Sequence, residues 1–220
     1  PAENLHASLA IYADVVRRPH LPPDQLEDAR LVCLQEVRSI EDELAQKVFQ
    51  ELRLLQYGVP YGRSSPGTAE SVEAISLADV RRHFETTFHP GTAILSVAGR
   101  IDWPRLKDCV AELFADWKPL VDAPLDDRPA ADAYRHLPHE SAQTHIGVAY
   151  ESVPYSHPDY FQARAAVGVL SDGMSSRLFS EVREKRGLVY SVFATCFSLA
   201  GQGSVLCYAG TTTKAAEFHT

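Results

Sequence analysis

The sequence predicts an α/β fold of the α+β kind, an antiparallel sheet with helices packed on it, and three observations carry the prediction. Stretches whose apolar residues recur every three or four positions alternate with short runs rich in β-branched and aromatic residues. A proline- and aspartate-rich break at 118–140 has helical and strand patterns on both sides. Hydrophobic content of 45% and charged content of 23% over 220 residues suit a soluble globular chain, with core enough for one large domain or two small ones.

In order along the chain, Leu5, Leu9, Ile11, Tyr12, Val15 and Val16 predict a helix over 3–17, ended by Pro19. Pro22 and Pro23 stand where prolines start a helix, because their missing N–H would lack a partner there anyway. A long amphipathic helix follows, with apolar positions at Leu26, Ala29, Cys33, Val37, Ile40, Leu44, Val48, Leu52 and Leu55 and a break expected near 39–42. Residues 57–67 are turn chemistry throughout. Ser76 and Asp79 predict a capping box for a helix over 77–86, and 92–98 reads as a strand. Asp102 caps and Pro104 begins a further helix, with Leu106, Val110, Leu113 and Phe114 inward.

Residues 118–140 read as an extended linker that marks the domain boundary. Beyond it come a strand at 144–151, helices at 158–170 and 175–187, and strands at 188–197 and 204–209. In the last strand both sets of alternate residues are apolar, so it is expected to be buried on both faces.

Several function classes fall away. A net charge of −8 argues against a nucleic-acid partner, which needs a basic face. No glycine-rich phosphate loop follows a strand and no G-x-S-x-G elbow occurs, so nucleotide and serine-hydrolase chemistry have no support. No apolar run approaches membrane-spanning length and the start does not resemble a signal peptide. Pro1 opens the chain without a methionine, so a piece of a longer protein is expected and the compartment stays open. Cys33, Cys109, Cys196 and Cys207 lie far apart amid apolar neighbours, without metal-type spacing, and buried free thiols are the expectation.

Three residues remain as candidates for chemistry. Glu36, three after Cys33 and four before Ile40, borders the apolar stripe, where a lone glutamate is ordinarily a flanking residue with a solvated head. Arg183 and Tyr190 stand on either side of Gly187, which occupies the place of a helix C-cap glycine. They are either solvated helix-end and strand residues or two donors converging on one ligand, and the pattern does not choose between these. His136, His139 and Glu140 spell H-x-x-H-E, but Pro138 between the histidines opposes the helix that such a metal pair needs.

Two stretches together resemble one family. PHLPPDQLEDARLVCLQEV, then VPYGRSSPG, then SLADVRRHFETTFHPGTAILSVAGRI are similar to the second half of the catalytic domain of the pitrilysin/insulinase family, zinc peptidases with an inverted H-x-x-E-H motif that include the mitochondrial processing peptidases. HIGVAYESVPYSHPDYFQARAAVGVLSDGMSSRLFSEVREKRGLVYSV resembles the first half of the homologous, non-catalytic domain that follows. The resemblance implies 1–120 as part of a catalytic-type domain, 121–140 as linker and 141–220 as part of the second domain. It implies that Glu36 is the glutamate completing a His, His, Glu zinc site, and that Arg183 and Tyr190 hold bound peptide. It further implies zinc as cofactor, peptide as substrate, and a homo- or heterodimer of homologous chains as one arrangement. At the family's spacing the H-x-x-E-H helix would lie before Pro1, so this chain holds no catalytic residue of its own. A glutamate usual in the family one step before Arg30 is here Ala29, and some family members are non-catalytic partners.

Overall fold

The structure, a computed structural model, describes residues 2–91, 93–121 and 133–212. These form two compact units, each drawn from two stretches of chain: the first from within 1–34 and 69–124, the second from within 35–68 and 125–220.

In the first unit, α1 (Leu5–Arg17) packs against α6 (Trp103–Phe114). Leu9, Leu106 and Cys109 form the buried centre, flanked by Leu5, Val97, Ile101, Val110 and Leu113. Asp102 accepts the Arg105 N–H at 3.2 Å, the cap expected from the sequence, and a proline opens the first turn. At the other end of α6, the Arg17 guanidinium donates to the Leu113 carbonyl and pairs with Asp116, a cation where the helix dipole favours one. Short α4 (Ala69–Ala74) leads into α5 (Leu77–Thr87), whose capping box is complete. Ser76 Oγ accepts from the Asp79 N–H at 3.2 Å, and Asp79 Oδ2 accepts from the Ser76 N–H at 2.9 Å.

The long helix breaks where the pattern weakens, giving α2 (Leu26–Asp42) and α3 (Leu44–Tyr57) on either side of Glu43. Leu26, Val37 and Ile40 of α2 are half-buried in line with the expected stripe, but the middle of the helix departs from it. Leu34 is buried while Ala29 and Cys33 are exposed. The cause is Arg30, one turn before Leu34, whose guanidinium donates to the carbonyls of Val72 (2.6 Å), Glu73 (2.8 Å) and Ile75 (2.9 Å) at the end of α4. That grip turns the Arg30–Leu34 flank inward. Of the four thiols expected to be buried only Cys109 is; Cys196 and Cys207 are half-buried and Cys33 is exposed.

The strand expected at 92–98 is not formed over 93–98, and Thr92 lies outside the described residues. A strand exists only through ladder bonds to a neighbour, and β-propensity alone does not supply one. Ile94 is accordingly 92% exposed, while Val97 packs on the Leu9 cluster. Of the linker at 121–140, residues 122–132 lie outside the described residues, and 133–141 carry no regular structure.

The second unit is an antiparallel three-stranded sheet in the order β1 (Gln143–Ser152), β3 (Gly203–Thr212), β2 (Ser191–Ser198). Central β3 is buried on the face of Ser204, Leu206, Tyr208 and Gly210, while Val205, Cys207 and Ala209 on the other face are half-buried, short of the burial on both faces expected. Helix α3 lies on one face. Phe49 stacks on Phe193 and Tyr208 at 5.5 and 5.6 Å between ring centres, and Tyr57 meets Phe197 at 5.4 Å. At this end the Tyr57 hydroxyl donates to the Phe197 carbonyl at 2.8 Å and bonds the Ser204 hydroxyl. Helix α7 (Tyr160–Ser171) packs on β2, where Ser171 Oγ accepts the Ala194 N–H at 2.7 Å. No helix among the described residues is long and apolar enough to cross a membrane.

Candidate functional site

The helix expected at 175–187 is shorter and wider than its periodicity suggests. Its regular part is a π-helical turn, Phe179–Glu184, closed by the Lys185 N–H on the Ser180 carbonyl at 3.0 Å. Ser176 is buried and accepts the Ser180 N–H on its own carbonyl, and no side chain caps the turn. One extra residue per turn is a feature concentrated at functional places in proteins, because it re-aims the side chains that follow.

Gly187 ends the turn with φ of +59°, a left-handed conformation for which glycine carries no Cβ penalty. Its N–H bonds the Arg183 carbonyl at 3.0 Å, and the Leu188 N–H bonds the Val182 carbonyl at 3.2 Å. The chain then enters β2 at Ser191, three residues later than the strand pattern implies. Residues 188–190 are held instead by the end of β3. The Thr211 hydroxyl donates to the Leu188 carbonyl at 2.5 Å, and the Tyr190 N–H to the Gly210 carbonyl at 2.7 Å.

Arg183 is exposed, and its guanidinium lies over the Phe179 ring at 4.8 Å, a cation–π contact that orients the fork without using its donors. Tyr190 is 77% exposed. Lys185 pairs with Glu181 at 2.6 Å, which holds that carboxyl below its ordinary range and leaves Arg183 out of that pair. The structure thus sets Arg183 and Tyr190 on the two sides of one glycine turn, with no direct bond between them among the described residues. Phe179, the platform for Arg183, was legible only as an apolar helix position.

Glu36 lies exposed on α2. Among the described residues no group of three His, Cys, Asp or Glu side chains is placed to hold a metal ion. Glu36 can therefore contribute one ligand and no more, and the described residues do not make a zinc site by themselves. A cleft of about 690 Å³ opens elsewhere, in the first unit, over Leu5, Ile101, Leu106 and Cys109 with Arg100 and Glu112 at its rim. None of the three candidate residues lines it.

The class is set by this arrangement: an α/β protein of α+β type, with an exposed arginine and tyrosine flanking a glycine turn at the head of an antiparallel sheet. The chain belongs to the M16 peptidase family, since the profile of the peptidase M16 inactive domain matches residues 74–219, more than half of its length. It is 26% identical over 211 residues to a protein named uncharacterized zinc protease YmxG of Bacillus subtilis, covering 95% of this chain and 51% of that one. To a probable mitochondrial-processing peptidase subunit beta of Schizosaccharomyces pombe it is 25% identical over 212 residues, covering 88% and 46%. The chain thus spans about half the length of these relatives. Its fold matches the crystal structure of the peptidase M16 inactive domain from Pseudomonas fluorescens with a TM-score of 0.80 at 24% identity, covering 98% of this chain and 53% of that one.

Proposed function

We propose that this chain is part of a zinc-dependent endopeptidase and that its own contribution is to hold the peptide substrate through Arg183 and Tyr190. In this reading 1–120 is the second half of a catalytic-type domain, 121–140 a linker, and 141–220 the first half of a second, non-catalytic homologous domain. Glu36 is one ligand of a zinc site whose remaining ligands, an H-x-x-E-H helix, lie outside this chain. Zinc, when bound in the whole protein, activates water for attack on a peptide carbonyl. The observation that carries the reading is the Arg183 guanidinium stacked on Phe179, its donors bonded to no partner among the described residues, beside an exposed tyrosine across the Gly187 turn. A guanidinium and a phenol so placed can donate to a peptide carbonyl and to the negative charge that develops on it.

The test is made in the full-length protein with a fluorogenic peptide. Tyr190→Phe removes one donor and should lower kcat by about a hundredfold, the scale for a donor aimed at a developing oxyanion. Zinc content and thermal stability should stay those of the wild type. Arg183→Ala should also raise KM, because its fork grips carbonyls in the ground state. Glu36→Gln should lose zinc along with rate. Wild-type turnover in Tyr190→Phe would reduce the tyrosine to a surface residue.

A second reading, a catalytically inactive homologue that binds peptide or serves as a partner subunit, is favoured by Ala29. It stands seven residues before Glu36, on the same helix face, where a second carboxylate would steady a metal ligand. A full-length protein that binds peptide through Arg183 yet takes up no zinc would establish this reading over the first.

A further inference from the structure

Behind Tyr190 lies a row of polar side chains that the peptide-holding reading does not use. The sheet register sets His145 of β1 and Ser191 of β2 both opposite Gly210 of β3, so the three positions stand abreast on the face covered by α3. Tyr208, two residues back on β3 and 5% exposed, reaches along that face into the gap. Its hydroxyl shares a 2.7 Å hydrogen bond with His145 Nδ1 and a second bond with the Ser191 side chain. The gap exists because residue 210 has no side chain: a Cβ there would stand 3.0 Å from Tyr208 Oη and 3.2 Å from Ser191 Oγ. Phe49 and Phe193 close over the Tyr208 ring at 5.6 and 5.2 Å. Burial, with His139 nearby, holds His145 below its ordinary value, which favours the neutral ring whose Nδ1 can accept the Tyr208 proton.

We propose that the row His145–Tyr208–Ser191 is a positioning device that anchors the start of β2 to the end of β3 and so fixes the place from which Tyr190 meets a bound peptide. The inference rests on the peptide-holding reading above. Ser191 is the next residue after Tyr190, and Gly210, over which the row closes, is the residue whose carbonyl takes the Tyr190 N–H at 2.7 Å. With Thr211 bonded to Leu188, residues 188–190 are tied to the sheet at Gly210, over which the row closes, and at its neighbour Thr211. A side chain that is 77% exposed has no packing of its own to aim it, so its aim comes from its backbone. The three row residues touch no substrate; they act through Tyr190.

The test uses the full-length protein, hydrogen exchange read by mass spectrometry, and the peptide turnover and peptide affinity of the same samples. Tyr208→Phe keeps the ring and removes the shared hydroxyl. Exchange over 188–191 should quicken about tenfold, the factor that corresponds to one lost hydrogen bond of ordinary net worth, while the rest of the sheet exchanges as before. Ser191→Ala should do the same more weakly, and His145→Gln, whose amide oxygen can accept the same proton, should restore what His145→Ala loses. Peptide handling should fall with the loosened segment, and Tyr190→Phe combined with Tyr208→Phe should be no worse than Tyr190→Phe alone. If Tyr190→Phe impairs peptide handling while Tyr208→Phe and Ser191→Ala leave both it and the 188–191 exchange unchanged, the positioning role is overturned. If Tyr190→Phe has no effect on peptide, the reading of the site fails, yet quickened exchange in Tyr208→Phe still upholds the row's hold on this segment.

Discussion

Tyr57→Phe tests how α3 is fastened to the sheet. The Tyr57 side chain is 4% exposed, and burial pushes its phenol above the ordinary value. Its hydroxyl donates to the Phe197 carbonyl at 2.8 Å and bonds Ser204 Oγ at 2.5 Å, and Ser204 is wholly buried. Phenylalanine keeps the ring contact with Phe197 and deletes only the hydroxyl, so the loss is one hydrogen bond to a neutral carbonyl and one to a hydroxyl that water cannot reach. Ser204 Oγ stands 3.4 Å from the same carbonyl and can take over part of the first bond, which limits the damage. The expected destabilisation is about 1–2 kcal/mol, or a fall in Tm of roughly 2–8 °C at this chain size. Ser204→Ala should cost about 1 kcal/mol, because Tyr57 keeps the Phe197 carbonyl. The double variant should lose less than the sum by about 0.5–1 kcal/mol, since removing both partners leaves no orphaned hydroxyl. Urea unfolding followed by circular dichroism at neutral pH measures all four corners of the cycle. A Tyr57→Phe protein as stable as wild type, or strictly additive effects, would refute this account of the α3 anchor.

Two further outcomes follow from local electrostatics and exposure. Bonds from the Ser76 side chain and backbone, with Arg82 beside them, hold Asp79 at about 2 against an ordinary 3.8; a depressed value in the folded state means stabilisation complete above 3.8 and lost as pH falls towards 2. The stability gap between wild type and Asp79→Asn, measured by urea midpoints at stepped pH, should therefore hold down to about pH 4 and shrink below it, and a constant gap would contradict the capping box. Cys33 is exposed while burial pushes the thiols of Cys109, Cys196 and Cys207 up, so a thiol reagent should label one site rapidly in the native 220-residue chain, and Cys33→Ser should abolish that phase.

Local signals in the sequence determined most of the helices, because caps, prolines and apolar spacing act within a few residues. Asp102 and Ser76 cap where they were expected and the long helix breaks beside 39–42, while β3 is fully buried on one face and half-buried on the other. The roles given to Glu36, Arg183 and Tyr190 came from the resemblance, since periodicity alone left Glu36 as a flanking residue and did not choose between a solvated and a ligand-holding role for Arg183 and Tyr190. Only tertiary structure decided which flank of α2 is buried, because that flank follows Arg30 onto carbonyls more than forty residues away. It also decided that 93–98 forms no strand, since ladder bonds depend on a neighbour that no local pattern encodes. The His145–Tyr208–Ser191 row was illegible for the same reason: a hydrogen bond between residues 63 positions apart exists only once strand register brings three strands abreast.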